Sequence, residues 1–343
     1  MSKEVDLIKK CSDSAERCFI YSAEADESYS LKYNYFPDSV KMHRFQSGEY
    51  GTVSDTYILY MLTLLGNVSV ETIENMLEAY SRNYKNLLIA QKLITSSSSK
   101  QSHVESRIKV LLKNGFVFSQ NFDIGRPDGM FDKIVLYGVG RDTQTFMNRK
   151  LGKNVVMRPW EMAIPLNDAI SEAASAFVAS IVALKGGCRL KSIKEDAFKS
   201  KEMGTVLLPP TLFLDGTSEL EKYQVLFYPA FLNHVSTYQT DGDFERTIKY
   251  KMDCVRNYIY MYRNVSRKPF CIFVCESGND MEKVRKVLQQ LRQMQESLPF
   301  IYFTSEGAVR YISNLRDAFL QIRPTGDGEL VYVKATPPFI KAN

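Results

Sequence analysis

The sequence predicts an α/β protein (α+β overall) with two domains. Its 343 residues are enough for roughly two domains of about 100–200 residues each. Between residues 54 and 152, segments with helical periodicity lead into a basic helix and a β-hairpin signal, whereas from residue 204 strand-like and helix-like segments alternate. We therefore divide the chain into an N-terminal extension (1–53), a helix-and-hairpin domain (54–152), a helical connector (153–203) and an α/β domain (204–343).

The composition is typical of a globular protein, with 45% hydrophobic and 24% charged residues. The net charge of +5 permits a polyanionic partner without requiring one. Six cysteines without a C-x-x-C pair predict reduced, buried thiols and a cytoplasmic location. The N-terminus lacks the apolar core of a signal peptide, and the longest apolar run, Ala173 to Leu184, is shorter than the about 20 residues that span a bilayer. We expect this run to form a buried helix, and we expect no membrane partner.

Helical periodicity begins near Ser54 after an extension to which we assign no function. Ser54 or Asp55 can cap a helix that stops at Gly66-Asn67, and Ser69 can cap a second helix. A third helical pattern covers 82–94 and ends at a run of four serines, 96–99. Another helix is predicted from Ser102 to Lys113, where Asn114-Gly115 stops it.

A β-hairpin is predicted directly after this last helix. Its strands are 116–122 and 133–137, and the turn-rich segment Gly125 to Gly129 lies between them. Helices followed by a basic helix and a hairpin are the order of a winged helix-turn-helix, in which one helix enters the major groove of DNA and the hairpin lies over the phosphates. The sequence therefore predicts binding of double-stranded DNA.

The candidate DNA-binding residues are polar or basic side chains of the recognition helix and the wing. They are Gln101, Ser102, His103, Ser106, Arg107, Lys109 and Lys113 on the helix, with Arg126 and Lys133 on the wing. Between Lys100 and Arg158 eleven basic residues face five acidic ones, a larger excess than in the whole chain. Three alternatives stay open: the domain is a protein-docking module, Arg107 braces the helix against an acidic neighbour, and His103 is a surface residue near the helix start.

The C-terminal half predicts helices interleaved with strands. A helical stretch covers 160–184 with a break near Pro165, and the basic segment 189–201 is interpreted as a linker or surface helix. The predicted strands are 205–208, 212–214, 224–231, the apolar run FCIFV at 270–274, and 300–303. The predicted helices are 245–262, 279–294 and a helical region at 305–320.

Several of these segments resemble the replication-relaxation protein family of bacterial plasmids and integrative conjugative elements. The resemblance is carried by VESRIKVLLKNGFV (104–117), by YGVGRDTQTFMNRKLG (137–152), by the helix with Lys251 and Tyr258, and by FCIFV with the helix through 284–291. It covers roughly Tyr57 to Leu320. It implies a role in replication, relaxation or conjugative transfer of a mobile element, and a C-terminal domain similar to the restriction-endonuclease-like fold.

A nuclease of that fold needs an acidic residue followed by an E-x-K or D-x-K pair to hold Mg²⁺. Here Pro209-Pro210 stand where the first acid is expected, and the strand through 225–234 contains no carboxylate. A displaced site could be built only from Asp215, Asp241, Asp243 and Glu245 with Lys249 or Lys251, although Asp241-Gly242-Asp243 is more simply a turn. The chain also lacks a G-x-x-x-x-G-K-[ST] phosphate loop and an H-E-x-x-H motif.

These observations predict a non-enzymatic, sequence-specific binder of double-stranded DNA without a metal or other cofactor. We expect the C-terminal domain to be inactive as a nuclease. Its candidate partners are a second copy of the chain or other replication and transfer proteins. Two alternatives stay open for that domain. Clustered carboxylates in a cleft would favour a metal-dependent nuclease, and an apolar pocket with a few polar groups would favour a transcriptional regulator that senses a ligand.

Overall fold

The computed structural model describes residues 53–83, 100–125, 131–139, 166–194, 197–200, 204–207, 209–230, 241–276, 278–291 and 294–341. The chain divides into two compact units, Met1–Ala163 and Ile164–Asn343. No helix in the described ranges is long and apolar enough to cross a membrane. The third predicted helix of the N-terminal half, 82–94, lies almost entirely outside the described residues, as does most of the extension 1–53.

Three helices form the described core of the N-terminal unit. They are α1 (Val53–Leu65), α2 (Val70–Asn83) and α3 (Lys100–Lys113). Gly66 ends α1 with a positive φ of 81°, a conformation that glycine adopts without strain. Ser69 caps α2, because its Oγ accepts a hydrogen bond from the backbone N–H of Thr72 at 3.3 Å. The apolar stripes of the helices are buried together and include Met61, Met76 and Ile108.

A two-stranded antiparallel hairpin follows α3. Strand β1 (Val117–Gly125) pairs with β2 (Phe131–Val139) from Val117 opposite Val139 to Gly125 opposite Phe131. The link between α1 and α2 extends this sheet, because Val68 and Tyr137 exchange two backbone hydrogen bonds of 3.0 and 2.9 Å. Gly138 is needed at this contact, since a Cβ there would lie 2.6 Å from Oδ1 of Asn67.

A seven-stranded mixed sheet forms the C-terminal unit. Its strands are β3 (Arg189–Lys194), β6 (Thr211–Asp215), β7 (Lys222–Pro229), β8 (Lys268–Val274), β9 (Ile301–Thr304), β10 (Leu320–Pro324) and β11 (Leu330–Lys334). Their order is β11-β10-β9-β8-β7-β6-β3. The three central strands β7, β8 and β9 run parallel, and every other neighbouring pair is antiparallel. Strands β4 (Ala197–Ser200) and β5 (Gly204–Leu207) form a separate hairpin.

Helices pack on both faces of this sheet. Helix α4 (Leu166–Lys185) contacts β6, β7 and β8. Helix α5 (Asp241–Tyr262) contacts β8 and helix α6 (Gly278–Gln290). Both helices share one buried cluster with alternate residues of the central strands, among them Leu226 and Phe273. The short helix α7 (Glu306–Tyr311) contacts α4, and two 3₁₀ turns, Leu298–Phe300 and Leu315–Ala318, complete the unit. Strand alternation therefore directs one set of side chains toward α4 and the other toward α5 and α6.

Three sequence-based predictions for the C-terminal half are wrong. The segment 189–201 contains strands β3 and β4 where a linker or surface helix was expected. Helix α4 and strand β3 belong to the C-terminal sheet unit, so the described part of the predicted connector 153–203 is not a connector. The predicted helical region 305–320 is helical only in α7 and one 3₁₀ turn, and the hairpin of β10 and β11 was not predicted.

Candidate nucleic-acid interface

One side of helix α3 is buried and the opposite side is exposed. Val104, Ile108 and Leu111 are at most 3% exposed and fix the helix against its neighbours. Ser106, Lys109 and Lys113 are exposed and follow one another at spacings of three and four residues, so they share one helical face. The helix thus presents a polar, basic stripe to solvent from a rigid base.

The end of α3 is fixed by a tight turn. The side chain of Asn114 donates from Nδ2 to the carbonyl oxygen of Val110 at 2.8 Å, and Gly115 follows with a φ of 75°. The backbone N–H of Phe116 then donates to the carbonyl of Leu111 at 3.0 Å and leads directly into β1. The exposed stripe and the hairpin are therefore held in one arrangement.

Arg107 points toward α1. Its Nε and Nη2 donate to Oδ1 and Oδ2 of Asp55, both at 2.9 Å. The side chains are 17% and 2% exposed, so this is a bidentate pair at the helix–helix contact. The geometry agrees with the alternative in which Arg107 braces the helix, and we remove Arg107 from the candidate DNA-contacting residues.

The hairpin has a polar exposed face. Residues that pair across an antiparallel ladder point to the same side, so Ser119, Asn121, Lys133 and Val135 share a face. All four are exposed, whereas Leu136 on the other face is 2% exposed. Tyr137 lies on the same face, opposite Ser119. Its partial burial raises its pKa, and the negative charge of Glu105 raises that pKa further. The alternation of polar residues along both strands is a sequence signal for Ser119 and Asn121, whereas charge alone identifies only Arg126 and Lys133 on the wing.

The remaining candidates are described only in part. Gln101, Ser102 and His103 lie in the first turn of α3, and their side chains are outside what the structure describes. Arg126 lies outside the described residues altogether. The structure therefore brings together Ser106, Lys109 and Lys113 on one helix, and it shows Lys133 exposed on β2.

The residues that could form a displaced nuclease site are described only in part, because the side chains of Asp241 and Asp243 lie outside the described residues. Asp215 at the end of β6 pairs with Arg267 at 2.7 Å and with Arg189 at 3.3 Å. Lys251 donates from Nζ to the backbone carbonyl of Pro229 at 2.5 Å. Asp241 begins α5, so Asp241-Gly242-Asp243 is the first turn of a helix and not the separate turn that we predicted. In the ranges that the structure describes, no three His, Cys, Asp or Glu side chains form a group that could hold a metal ion.

The cysteines in the described ranges are buried, free thiols, as the sequence predicted for them. They are Cys188, Cys254, Cys271 and Cys275. Burial is the main cause that raises the pKa of Cys188 to about 11, and burial likewise raises the pKa values of the other three. These thiols stay protonated at neutral pH and are poor nucleophiles. Cys11 and Cys18 lie outside the described residues.

Comparison of the chain with family models, curated proteins and solved structures finds no match.

Proposed function

We propose that this protein binds double-stranded DNA sequence-specifically through α3 and the β1–β2 hairpin, which would act as the recognition helix and wing of a winged helix-turn-helix. The observation that carries the proposal is the exposed stripe of Ser106, Lys109 and Lys113 on a helix whose opposite side is buried. An α-helix fits the major groove, where hydroxyl and amino groups reach base edges and phosphates. The hairpin adds Ser119, Asn121 and Lys133 on an exposed face.

The order of the elements supports this assignment. A helix, a short extended link that pairs with the wing, two further helices and a hairpin are compatible with the winged arrangement. The Arg107–Asp55 pair would hold the recognition helix at a fixed angle, because a bidentate pair restricts rotation more than a single contact does.

The biological role that we propose comes from the resemblance to the replication-relaxation family. On that basis the protein acts in replication, relaxation or conjugative transfer of a bacterial mobile element, in the cytoplasm. The mixed sheet with helices on both faces is compatible with a restriction-endonuclease-like domain, and β7 carries no carboxylate. We propose that this domain is not a nuclease and contacts partner proteins or a second copy of the chain.

The salt dependence of binding tests the DNA-contacting face. Affinity of the full chain for a mixed-sequence 30-base-pair duplex is measured by fluorescence anisotropy between about 50 and 200 mM salt. We expect Lys109→Ala/Lys113→Ala to flatten the slope of log affinity against log salt by roughly 0.9 for each lost phosphate contact. Lys185→Ala/Lys286→Ala removes the same charge from exposed positions of the C-terminal unit and should leave the slope unchanged. Equal slopes for both double variants would refute the proposed face.

Sequence specificity separates a DNA reader from a docking module. Selection from a random duplex library should enrich one sequence motif with the wild-type chain. Ser106→Ala should relax the preference at one or two positions of that motif, because a hydroxyl that contacts a base edge is lost. A library that shows no enrichment would favour docking of a protein partner instead.

A further inference from the structure

We propose that the outer face of helix α5 binds single-stranded nucleic acid. This surface, which we call the tyrosine–arginine face, comprises Arg246, Lys249, Tyr250, Tyr260 and Arg263. The segment from Arg246 to Lys268 carries seven basic residues and one acidic residue, Asp253, an excess larger than that of the whole chain. Such a local excess favours a polyanionic ligand. The proposed site lies in the other unit from the proposed duplex-binding helix and does not depend on it.

Helix α5 is firmly anchored by its inner side. Ile248, Met252, Val255, Tyr258 and Ile259 are at most 5% exposed and belong to the buried cluster of the sheet unit. The outer side carries the positions between them, as the 3.6-residue period requires. The tyrosine–arginine face is therefore displayed by a helix whose inner side is buried from Ile248 to Ile259.

Two tyrosine rings lie open on this face. Tyr250 is 52% exposed and Tyr260 is 63% exposed, although Tyr rings usually bury much of their apolar area. The guanidinium carbon of Arg263 lies 4.1 Å from the ring centroid of Tyr260, a cation–π contact at the surface.

The basic residues of the segment fall into two groups. Lys251 donates a hydrogen bond to the carbonyl of Pro229. Arg256 lies 3.5 Å from the carboxylate of Asp253, and Arg267 pairs with the carboxylate of Asp215. Arg246, Arg263 and Lys268 are exposed, and Lys249 is partly exposed. These exposed side chains carry positive charge beside the two exposed tyrosine rings, and Arg263 lies over the ring of Tyr260.

The exposed tyrosine rings favour a single-stranded ligand over a duplex. Unpaired bases can stack on an aromatic side chain, whereas the bases of a duplex are already stacked on one another. Tyr250 and Tyr260 are ten residues apart, about 15 Å along the helix axis at 1.5 Å per residue. That distance exceeds the 3.4 Å step between stacked bases of one strand, so the two rings would hold bases several nucleotides apart. The ligand class is a single strand of DNA or RNA with phosphates beside its stacked bases.

Binding of labelled oligo(dT) and oligo(rU) of 20 nucleotides to the full chain tests this proposal by fluorescence anisotropy. We expect Tyr250→Ala/Tyr260→Ala to weaken binding by about tenfold or more, because each lost stacking contact is substantial. Tyr250→Phe/Tyr260→Phe keeps both rings and should bind as the wild type does. Tyr311→Ala removes an 82% exposed tyrosine elsewhere and should also leave binding unchanged.

The duplex-binding proposal can fail separately from this one. Lys109→Ala/Lys113→Ala should leave oligonucleotide binding intact, and Tyr250→Ala/Tyr260→Ala should leave duplex binding intact. Comparison of oligo(dT) with oligo(rU) shows which sugar is preferred, and tyrosine-dependent binding of either one supports the proposal. The proposal is overturned if neither single strand binds, if the Tyr→Ala pair binds as the wild type does, or if the Tyr→Phe pair loses binding equally.

Discussion

Asp55 binds the guanidinium of Arg107 and gives this arginine a structural role. The carboxylate is 98% buried as a side chain, and the guanidinium of Arg107 meets both of its oxygens. A buried charge is costly unless it is paired and hydrogen-bonded, so this arginine stabilises the contact between α1 and α3. Lys109, two residues later on the same helix, is exposed and has no comparable structural task in the described contacts.

We predict that Arg107→Ala destabilises the N-terminal unit. Loss of one partner of a largely buried ion pair costs about 3–5 kcal/mol, and the 17% exposure of Arg107 places the effect near the lower end. Urea unfolding followed by circular dichroism measures the change. Lys109→Ala is the matched control and should change the stability by less than about 0.5 kcal/mol. An Arg107→Ala chain that unfolds like the wild type but binds duplex DNA weakly would restore Arg107 as a DNA contact.

This pair also shows where prediction from sequence ends. The period of α3 separates its buried from its exposed positions, and so Ser106, Lys109 and Lys113 were identified correctly as surface residues. Arg107 lies at the border between the two faces, and its partner is 52 residues away in the chain. Nothing local distinguishes an arginine that meets a carboxylate across a helix contact from one that meets solvent, which is why both alternatives stayed open.

Among the elements, strand β3 was missed for a specific reason. Its pairing with β6 shifts register between Leu190 and Ser192, so a bulge interrupts the two-residue alternation of the strand. The buried residues Leu190 and Ile193 are consequently three apart, which is a helical spacing. The long helices and the apolar central strands were predicted well because burial acts on many consecutive residues there. Strands β10 and β11 have only five residues each, and β11 is the edge strand of the sheet, so the burial signal is weak there.

The C-terminal segment is held against the turn that follows α4. Its backbone pairs with the turn after α4, because the N–H of Lys341 donates to the carbonyl of Gly186 at 2.7 Å. The ammonium group of Lys341 lies 2.6 Å from Oε2 of Glu221, which also accepts hydrogen bonds from Thr217. The hydrogen bond from Lys341 is the main cause that lowers the pKa of Glu221 to about 2.

We predict that this attachment weakens in acid. Because the folded pKa of Glu221 lies below its ordinary value of 4.5, the carboxylate stabilises the fold above pH 4.5, and this contribution is lost as the pH falls toward 2. Glu221→Gln should therefore lower the urea midpoint at pH 7 and differ less from the wild type near pH 3. Glu219→Gln removes the same charge from an exposed position nearby and should have little effect at either pH. A constant difference between Glu221→Gln and wild type across this range would contradict the assignment.

At the scale of the whole molecule, the C-terminal sheet needs α4 to cover one of its faces. Val225, Phe227, Ile272 and Val274 alternate with the residues that pack on α5 and α6, so strand geometry directs them toward the face that α4 contacts. Each of the four is at most 2% exposed. Burying a side chain of this size stabilises by about 1.5–3 kcal/mol, so the four together contribute roughly 6–12 kcal/mol. That is comparable to the about 5–15 kcal/mol by which a whole domain is stable.

We predict that a fragment of residues 164–343 folds, whereas a fragment that starts at residue 204 does not. The longer fragment keeps α4 and β3, and it should unfold in urea in one cooperative transition seen by circular dichroism. The shorter fragment exposes the face that α4 covers and lacks edge strand β3, so it should show no cooperative transition and should bind a dye that reports exposed apolar surface. Equal urea midpoints for the two fragments would mean that α4 contributes little to the sheet, and the boundary first predicted from sequence at residue 204 would then describe an independent domain.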